Sequence, residues 1–429
     1  MRPGDFLTVA ASVASLQRSQ WRSTEEIRRR QLAALDETLA FALKRVPHYR
    51  SAGIEAVPGD PREQLSRFPV LTKRVLQAAG VSMLAEGVDE ASAFRSRTSG
   101  STGEPTVTWF DRRTWLQARY AHKLRRMLAY GLGPGSGVVI VSEADAAQLD
   151  QHRKSRLAGA GWLFRQEFLS IRTPLARHVD EILRLEPDAL YAFPSYLADF
   201  LDHCEREGIE LPRLKVVFTS SEMLAPSLRR RLAERFRARV CDIYGCTEFK
   251  EVAWQCAAGT YHVNHESVWV ECEPPARAGE PGHLLLTTLV NRAGPLIRYR
   301  VGDLGRLQSV GCDCGREGPA LTDLEGREGD MLQLRDGRRF SPYVLTTAIE
   351  DVPGLGQYQF VQTSADGLEL RYIALDGSPV DQALLVSRIA RLFGDGLQVT
   401  AKRVPEILRT PGGKRSVLVR EGAAGAAAG

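Results

Sequence analysis

The sequence contains no apolar run of about 18 residues, the length that a helix needs to cross a bilayer, so it predicts no membrane-spanning helix. It also has no large excess of one charge, because 57 Lys and Arg residues face 52 Asp and Glu residues. The arginines are scattered along predicted helices, which favours solvated helix faces over a nucleic-acid surface. We therefore expect neither a membrane nor a nucleic acid among the partners of this chain.

Cysteines are few and odd in number, with seven in 429 residues. An odd set in a long chain does not suit a framework of paired disulfides. The N-terminal stretch also has no hydrophobic block of signal-peptide quality. Both observations predict a cytoplasmic protein whose cysteines are free thiols or metal ligands. The sequence does not indicate an oligomeric state, and a homodimer stays open.

Short apolar runs alternate with helical stretches through the middle of the chain, after a helical stretch at residues 20–50. The runs that predict strands are "GVVIVS" (137–142), "ALYAF" (189–193), "LKVVFTS" (214–220) and "VCDIYG" (240–245). Strands that alternate with helices are typical of a parallel sheet covered by helices. Beyond residue 260, "SVWVECE" and "GHLLLTTLV" predict antiparallel strands and therefore a β-rich subdomain.

The C-terminal part predicts a small α+β domain, with a hairpin that turns at Asp366 and Gly367, then a helix and a strand. Glycines and charges near residues 326–337 suit a junction between domains. We therefore predict an α/β protein with a large N-terminal core domain at residues 1–327 and a small mobile C-terminal domain at residues 328–429. The core domain would combine helix-covered mixed sheets with the small β-rich subdomain.

The segment "RTSGSTGEPT" (97–106) concentrates glycines and small hydroxyl side chains. Glycines let a backbone approach an anion closely, and successive N–H groups and hydroxyls then offer donors to it. The segment lacks the Gly-Lys-Ser/Thr ending of kinase-type phosphate loops. From these residues alone, a phosphate site and a polar surface turn both stay open.

Four further motifs follow this segment along the chain. They are "YGCTE" (244–248), "YRVGD" (299–303), "GREGD" (326–330) and "TPGGKR" (410–415). Together the five resemble the ordered signature motifs of the adenylate-forming superfamily, which includes the acyl- and aryl-CoA synthetases. Flanking segments such as "VPHYRSAG", "FPVLTKRVL" and "YAFPSYLADFL" resemble the phenylacetate–CoA ligase branch. The resemblance covers roughly residues 40–420.

The resemblance implies a ligase that uses ATP and Mg²⁺ to activate a small aromatic carboxylic acid as an acyl-adenylate and then transfers it to CoA. The core domain would then be the AMP-binding adenylation domain, and the C-terminal domain would carry the catalytic lysine. Two alternatives stay open. One is an adenylating enzyme that activates an inorganic oxyanion or uses an amine or carrier protein as acceptor. The other is a non-catalytic nucleotide-binding relative.

The resemblance also assigns roles residue by residue. Residues expected to bind the nucleotide are Thr98, Ser99, Gly100, Ser101, Thr102, Gly103, Ser221, Glu222, Tyr244, Gly245, Asp303 and Arg327. Residues expected near the acid are Tyr130, Phe193, Pro194 and Ser220. Thr247 would contact the α-phosphate, Glu248 would hold Mg²⁺, and the Lys414 ammonium would reach the α-phosphate and the attacking carboxylate.

Three positions depart from the superfamily pattern. Thr106 stands where a lysine is common, although the phenylacetate branch often has Thr there. Val301 replaces the usual Thr of the aspartate motif, and Gly329 takes a position where an acidic residue or lysine is common. These changes leave adenylation in place and put the second half-reaction in more doubt.

Four residues have the types and spacing of a structural zinc site. Cys312 and Cys314 lie two positions apart, and upstream His262 follows Cys256 by six positions. Three thiolates and one imidazole suit tetrahedral Zn²⁺. Free buried cysteines are an equal alternative on the local pattern, and similar segments in the phenylacetate branch favour zinc. His265 is an alternative to His262.

Overall fold

The computed structural model describes residues 3–97, 106–142, 165–275, 280–309, 311–327, 330–375, 378–394, 397–407 and 416–421. The chain divides into two compact units. The first consists of Met1–Leu132 and Cys241–Leu324, and the second of Gly133–Val240 and Glu325–Gly429. None of the helices in these described ranges is both long enough and apolar enough to span a bilayer.

The secondary structure has the following bounds. The α-helices are Pro3–Ser19, Thr24–Arg45, Pro47–Arg50, Pro61–Ser66, Lys73–Ala79, Arg112–Leu116, His122–Ala129, Leu175–Leu185, Pro194–Arg206, Pro226–Arg235, Pro342–Ile349 and Gln382–Phe393. The strands are β1 (Phe94–Arg97), β2 (Val107–Phe110), β3 (Gly137–Ser142), β4 (Arg165–Ser170), β5 (Ala189–Ala192), β6 (Val216–Ser220), β7 (Arg239–Cys246), β8 (Lys250–Gln255), β9 (Tyr261–Val263), β10 (Val268–Cys272), β11 (Gly282–Thr288), β12 (Tyr299–Ser309), β13 (Pro319–Arg327), β14 (Leu332–Gln333), β15 (Arg339–Phe340), β16 (Leu355–Ser364), β17 (Gly367–Ala374), β18 (Gln398–Arg403) and β19 (Leu418–Arg420). The predicted helix within residues 20–50 and the four predicted strands of the middle region are confirmed.

The first unit is built on antiparallel strands in the order β10-β11-β12-β13-β9-β8-β7. Helix Thr24–Arg45 buries one face at helical spacing, formed by Ile27, Gln31, Leu35, Thr38, Leu39 and Ala42. The polar members of that face are satisfied by the sheet, because Gln31 donates to the Val268 carbonyl and Thr38 to the Leu289 carbonyl. The predicted antiparallel pair after residue 260 is confirmed as β10 and β11.

The second unit begins with a parallel sheet in the order β6-β5-β3-β4. Helices Leu175–Leu185, Pro194–Arg206 and Pro226–Arg235 contribute apolar side chains to the core around this sheet. Parallel strands need crossover connections, and helices are the usual form of such a crossover. The alternation seen in the sequence therefore has its expected structural cause.

The C-terminal part of the second unit has its own mixed sheet in the order β18-β17-β16-β19 and its own apolar core. Strands β16 and β17 form the predicted hairpin, which turns between Ser364 and Gly367. The α/β class with mixed sheets is confirmed. The domain boundary near residue 327 and the mobility of the C-terminal domain stay predictions.

Candidate active site

The Thr247 and Glu248 motif forms the loop of a β-hairpin. Strands β7 and β8 pair antiparallel with Cys246 opposite Lys250, so Thr247, Glu248 and Phe249 make the connection. Lys250, which follows this loop as the first residue of β8, has a left-handed φ of 65°. The hairpin therefore fixes Thr247 and Glu248 side by side at one end of the strands.

A residue of the "YRVGD" motif orients the Glu248 side chain. This side chain is buried, and the Tyr299 hydroxyl donates to Oε1 at 2.8 Å. Tyr299 begins β12 and is the first residue of the "YRVGD" motif. Within the described ranges, the structure records no donor on Oε2. One oxygen is thus oriented by a hydrogen bond, and the carboxylate can offer the other to a divalent cation.

Tyr244 and Asp303 make a second link between the same two motifs. The Tyr244 hydroxyl donates to Asp303 Oδ2 at 2.8 Å. By the resemblance to the superfamily, Tyr244 would stack on the adenine and Asp303 would accept from the ribose hydroxyls, so the structure brings together two side chains expected at neighbouring parts of one nucleoside. Tyr299 received no role from the sequence, and only its place in the "YRVGD" motif hinted at one.

Gly245 is required by the backbone of this hairpin. A Cβ built at this position would lie 2.1 Å from the Lys250 carbonyl oxygen, far inside any real contact. The pairing register also shifts between Tyr244 and Gly245. Gly245 therefore keeps the two strands close beneath the Thr247 and Glu248 loop, whatever further contact it makes with a nucleotide.

We expect Gly245→Ala to destabilise the protein by roughly 2–3 kcal/mol, because the backbone must shift to admit the methyl group. Acyl-adenylate formation should fall as well, since the shift moves Glu248. Gly133→Ala is the matched control, because no heavy atom lies within 4 Å of its Cβ position. Urea unfolding of both variants measures the effect, and equal stabilities would contradict it.

The hydroxyl-rich segment connects two short strands in the chain, β1 before it and β2 after it. Strands β1 and β2 pair antiparallel, with Arg97 opposite Val107. Thr98, Ser99, Gly100, Ser101, Thr102 and Gly103 lie outside the described residues, so their phosphate contacts stay predictions. Ser96, just before them, donates from Oγ to the Thr247 carbonyl at 3.1 Å. The end of β1 therefore lies beside the Thr247 and Glu248 loop.

Glu222 caps a helix in the second unit. Ser195 donates its backbone N–H to Glu222 Oε2 at 2.7 Å and its hydroxyl to Oε1 at 2.9 Å. Ser195 is the second residue of helix Pro194–Arg206, where a carboxylate also interacts favourably with the helix dipole. Glu222 therefore has a structural partner in addition to its predicted nucleotide contact, and no motif in the sequence indicated Ser195.

Ser220 and Ser221 lie at the end of β6 with unusual geometry. Ser221 has a φ of 72°, which is uncommon for a residue other than glycine. The Ser220 hydroxyl is hydrogen-bonded to the Tyr191 hydroxyl and lies 3.3 Å from Ser221 Oγ. Strain of this kind concentrates at functional sites. Tyr191, which the sequence analysis did not single out, joins the predicted residues here.

The remaining predicted residues lie in different settings. Tyr130 belongs to the first unit, has 1% of its surface exposed, and donates its hydroxyl to the Gln255 carbonyl at 2.8 Å. Phe193 is buried and precedes helix Pro194–Arg206 in the second unit. Arg327 is exposed at the end of β13, and Lys414 lies outside the described residues. Their roles toward acid and nucleotide stay predictions.

The four predicted zinc ligands lie together. Their donor atoms are all within 4.8 Å of one another, with Cys256 Sγ 3.6 Å from Cys312 Sγ and Cys314 Sγ 3.3 Å from His262 Nε2. Tetrahedral zinc with bonds of about 2.0–2.3 Å places its ligands roughly 3.5–3.8 Å apart. The donor set and spacing therefore fit Zn²⁺. His265 is not a member of the cluster and faces Glu266.

The surroundings of the cluster suit a metal. Burial lowers the pKa of His262 to about 4, so its imidazole is neutral at pH 7 and can offer a lone pair. Arg316 Nη1 donates to Cys314 Sγ at 3.4 Å, and its guanidinium lies between the rings of Trp21 and Trp254. A positive charge beside the thiolates offsets their excess negative charge when zinc is bound.

The family model and the curated relatives that match this chain are of one kind. The model described as "AMP-binding enzyme" matches residues 89–281. The phenylacetate-coenzyme A ligase of Thermus thermophilus is 27% identical over 326 residues, 72% of this chain and 72% of that protein. The enzyme of the same name from Escherichia coli K12 is 28% identical over 344 residues, 73% of this chain and 74% of that protein.

A solved structure shares the fold. The crystal structure of 2-hydroxyisobutyryl-CoA ligase in the postadenylation state, in complex with 2-HIB-AMP, has a TM-score of 0.76 to this chain. The alignment covers 94% of this chain and 91% of that one, at 24% sequence identity. At this level of identity the likeness shows the shared fold and nothing finer.

Proposed function

This chain belongs to the adenylate-forming superfamily, in its phenylacetate–CoA ligase-like branch, and we infer that it is an ATP-dependent acid–CoA ligase. The family prediction is confirmed by the AMP-binding match and by the phenylacetate-coenzyme A ligase relatives. In the reaction, a carboxylate oxygen attacks the α-phosphorus of ATP, and pyrophosphate leaves. The CoA thiol then attacks the acyl carbon, and the bond to AMP breaks.

We propose that the acid is small and aromatic. Two observations support this class. The relatives at 27–28% identity are named for phenylacetate, and the residues predicted near the acid, Tyr130, Phe193, Pro194 and Ser220, include no charged side chain that would pair with an amino or second carboxylate group. Aromatic side chains suit an aromatic substrate because ring pairs gain beyond simple burial.

The observation that carries the proposed mechanism is the junction of the two motifs at Glu248 and Asp303. We propose that Glu248, oriented by Tyr299, is the protein residue that would hold Mg²⁺, and the ion would supply charge neutralisation at the phosphates. Thr247 would contact the α-phosphate from the same hairpin loop. Asp303 would accept from the ribose hydroxyls. The chemistry requires alignment and charge stabilisation more than proton transfer.

We further propose that Cys256, His262, Cys312 and Cys314 hold a structural Zn²⁺. All four positions of a tetrahedral site are then supplied by the protein, which leaves no open position for catalysis. The zinc would tie β8 and β9 to the connection between β12 and β13. A reducing cytoplasm, which keeps such thiols available, is the location we propose.

A pyrophosphate-release screen tests the proposed function. Wild-type protein is given ATP, Mg²⁺ and a panel of aryl, alkyl and inorganic acids, with and without CoA. Acid-dependent pyrophosphate release followed by a CoA thioester is the expected result. Release without thioester would move the acceptor to an amine, a carrier protein or another nucleophile. No release with any acid would contradict the proposed ligase and favour a non-catalytic nucleotide-binding relative.

We expect Lys414→Ala to lower the rate of acyl-adenylate formation about a hundredfold, because the variant loses a cation aimed at charge that develops in the transition state. The fold should be unchanged, since Lys414 lies in a glycine-rich segment. The reaction of preformed acyl-adenylate with CoA should be much less affected. Rapid-quench measurement of both steps tests the role, and a normal adenylation rate would overturn it.

A further inference from the structure

Lys250 follows the Thr247 and Glu248 hairpin loop as the first residue of β8, and neither the motifs nor the proposed reaction assigns it a role. Its ammonium donates to the Ser96 hydroxyl, which in turn donates to the Thr247 carbonyl at 3.1 Å. Ser96 lies on β1, immediately before Arg97 and the hydroxyl-rich segment. Two consecutive hydrogen bonds therefore join the hairpin loop to the strand that leads into the predicted phosphate segment.

Aromatic rings hold the Lys250 ammonium in this place. Its Nζ lies 5.7 Å from the ring centroid of Phe110 and 5.4 Å from that of Trp115, within the range of a cation–π interaction. Phe110 belongs to β2, which follows the hydroxyl-rich segment in the chain. Among the described side chains, no carboxylate lies within ion-pair distance of this ammonium, and the nearby Glu248 carboxylate acts on its pKa only through a longer-range charge interaction.

The backbone conformation of Lys250 also indicates that its side chain has a particular role. Its φ of 65° lies in the left-handed region, which is unfavourable for residues with a Cβ and is adopted readily only by glycine. A lysine at this position is explained when its side chain does something that glycine cannot do. Here the side chain reaches Ser96 on β1 and the rings of Phe110 and Trp115.

We propose that Lys250 is a positioning residue of the triphosphate site. It ties the loop that carries Thr247 and Glu248 to β1, and it adds a positive charge beside that loop. The inference rests on the proposed adenylation, because it assumes that ATP phosphates lie at this loop. It concerns the phosphates of ATP and the Mg²⁺ proposed on Glu248, not the adenosine portion, and the more highly charged triphosphate should depend on it more than the single phosphate of AMP does.

The test compares ATP with AMP. Calorimetry with Mg²⁺ measures the Kd of each nucleotide for wild type, Lys250→Met, Lys250→Arg, Ser96→Ala and the Lys250→Met/Ser96→Ala double variant. Lys402→Met is the matched control, because it removes the same charge from an exposed position on β18. Steady-state kinetics add the KM for ATP, the KM for the acid and kcat, and thermal unfolding verifies that each variant folds.

We expect Lys250→Met to weaken ATP binding roughly tenfold while AMP binding changes less than about twofold, with the KM for ATP raised and the KM for the acid unchanged. Lys250→Arg should retain most of the affinity. The double variant should bind ATP no more weakly than Lys250→Met alone. Both substitutions interrupt the same pair of hydrogen bonds, from Lys250 to Ser96 and from Ser96 to Thr247. The Lys402→Met control should bind like wild type.

Three results would overturn the inference: equal losses for ATP and AMP, multiplicative losses in the double variant, or unchanged ATP affinity in Lys250→Met. A wild-type protein that binds no ATP is a different outcome. It would contradict the proposed function itself, and the role of Lys250 would fall with it. The wild-type arm thus separates the failure of the inference from the failure of the function.

Discussion

Replacing Glu248 with Gln is expected to slow acyl-adenylate formation by about a hundred- to a thousandfold, with the fold intact. The amide has the shape of the carboxylate and can still accept from the Tyr299 hydroxyl. It lacks the charge that a hard cation requires of its ligand. The change therefore isolates the proposed binding of Mg²⁺ from the packing of a buried side chain.

The measurement is the rate of acid-dependent pyrophosphate release over a range of Mg²⁺ concentrations. The Glu248→Gln variant should need far more Mg²⁺ and should not reach the wild-type rate. Tyr299→Phe is the informative companion, because it keeps the carboxylate and removes only its orienting hydrogen bond. Its rate should fall by roughly tenfold. A Glu248→Gln variant within about threefold of wild type would show that Glu248 is not the Mg²⁺ ligand.

Removing one zinc ligand is expected to have the largest effect on stability. Cys314→Ser should lose the metal and destabilise the protein by roughly 4 kcal/mol or more, because structural zinc contributes directly to the free energy of folding. For a unit of the size that contains the cluster, Met1–Leu132 and Cys241–Leu324, a loss of this magnitude should lower the melting temperature by about 10 °C. The strands around the cluster would lose the link that joins β8 and β9 to the segment after β12.

Elemental analysis of protein purified without a His tag is the measurement. Wild type should contain close to one equivalent of zinc, and Cys314→Ser less than roughly a tenth of an equivalent. Cys272→Ser is the matched control, because Cys272 lies on β10 outside the cluster and donates to the Gly305 carbonyl at 3.2 Å. Wild-type protein with less than about a tenth of an equivalent would end the zinc proposal.

The sequence was sufficient for the main elements of the fold. Alternating apolar runs and amphipathic stretches predicted β3, β5, β6 and β7, because each strand core is a short apolar block with helical sequence between. It also predicted the four-residue cluster around Cys256, where the local pattern left free buried cysteines equally open and the resemblance to the phenylacetate branch favoured a metal site. These features depend on local pattern or on rare residue types, which a single sequence displays.

Contacts between distant segments could not be predicted in the same way. The bond from Tyr299 to Glu248 joins residues 51 positions apart, and nothing in either segment specifies the partner. The role of Lys250 was hidden for a further reason, because a lysine after a loop is usually a solvated side chain. Only its φ and the neighbouring Ser96 and aromatic rings distinguish it.

The most direct test of the central claim follows one oxygen atom through the reaction. The protein is given a carboxylic acid that carries ¹⁸O in its carboxylate, together with ATP, Mg²⁺ and CoA, and the products are analysed by mass spectrometry. If the carboxylate attacks the α-phosphorus, the released AMP carries one ¹⁸O atom and the pyrophosphate carries none. Label in phosphate or pyrophosphate, with unlabelled AMP, would contradict an acyl-adenylate and with it the mechanism proposed here.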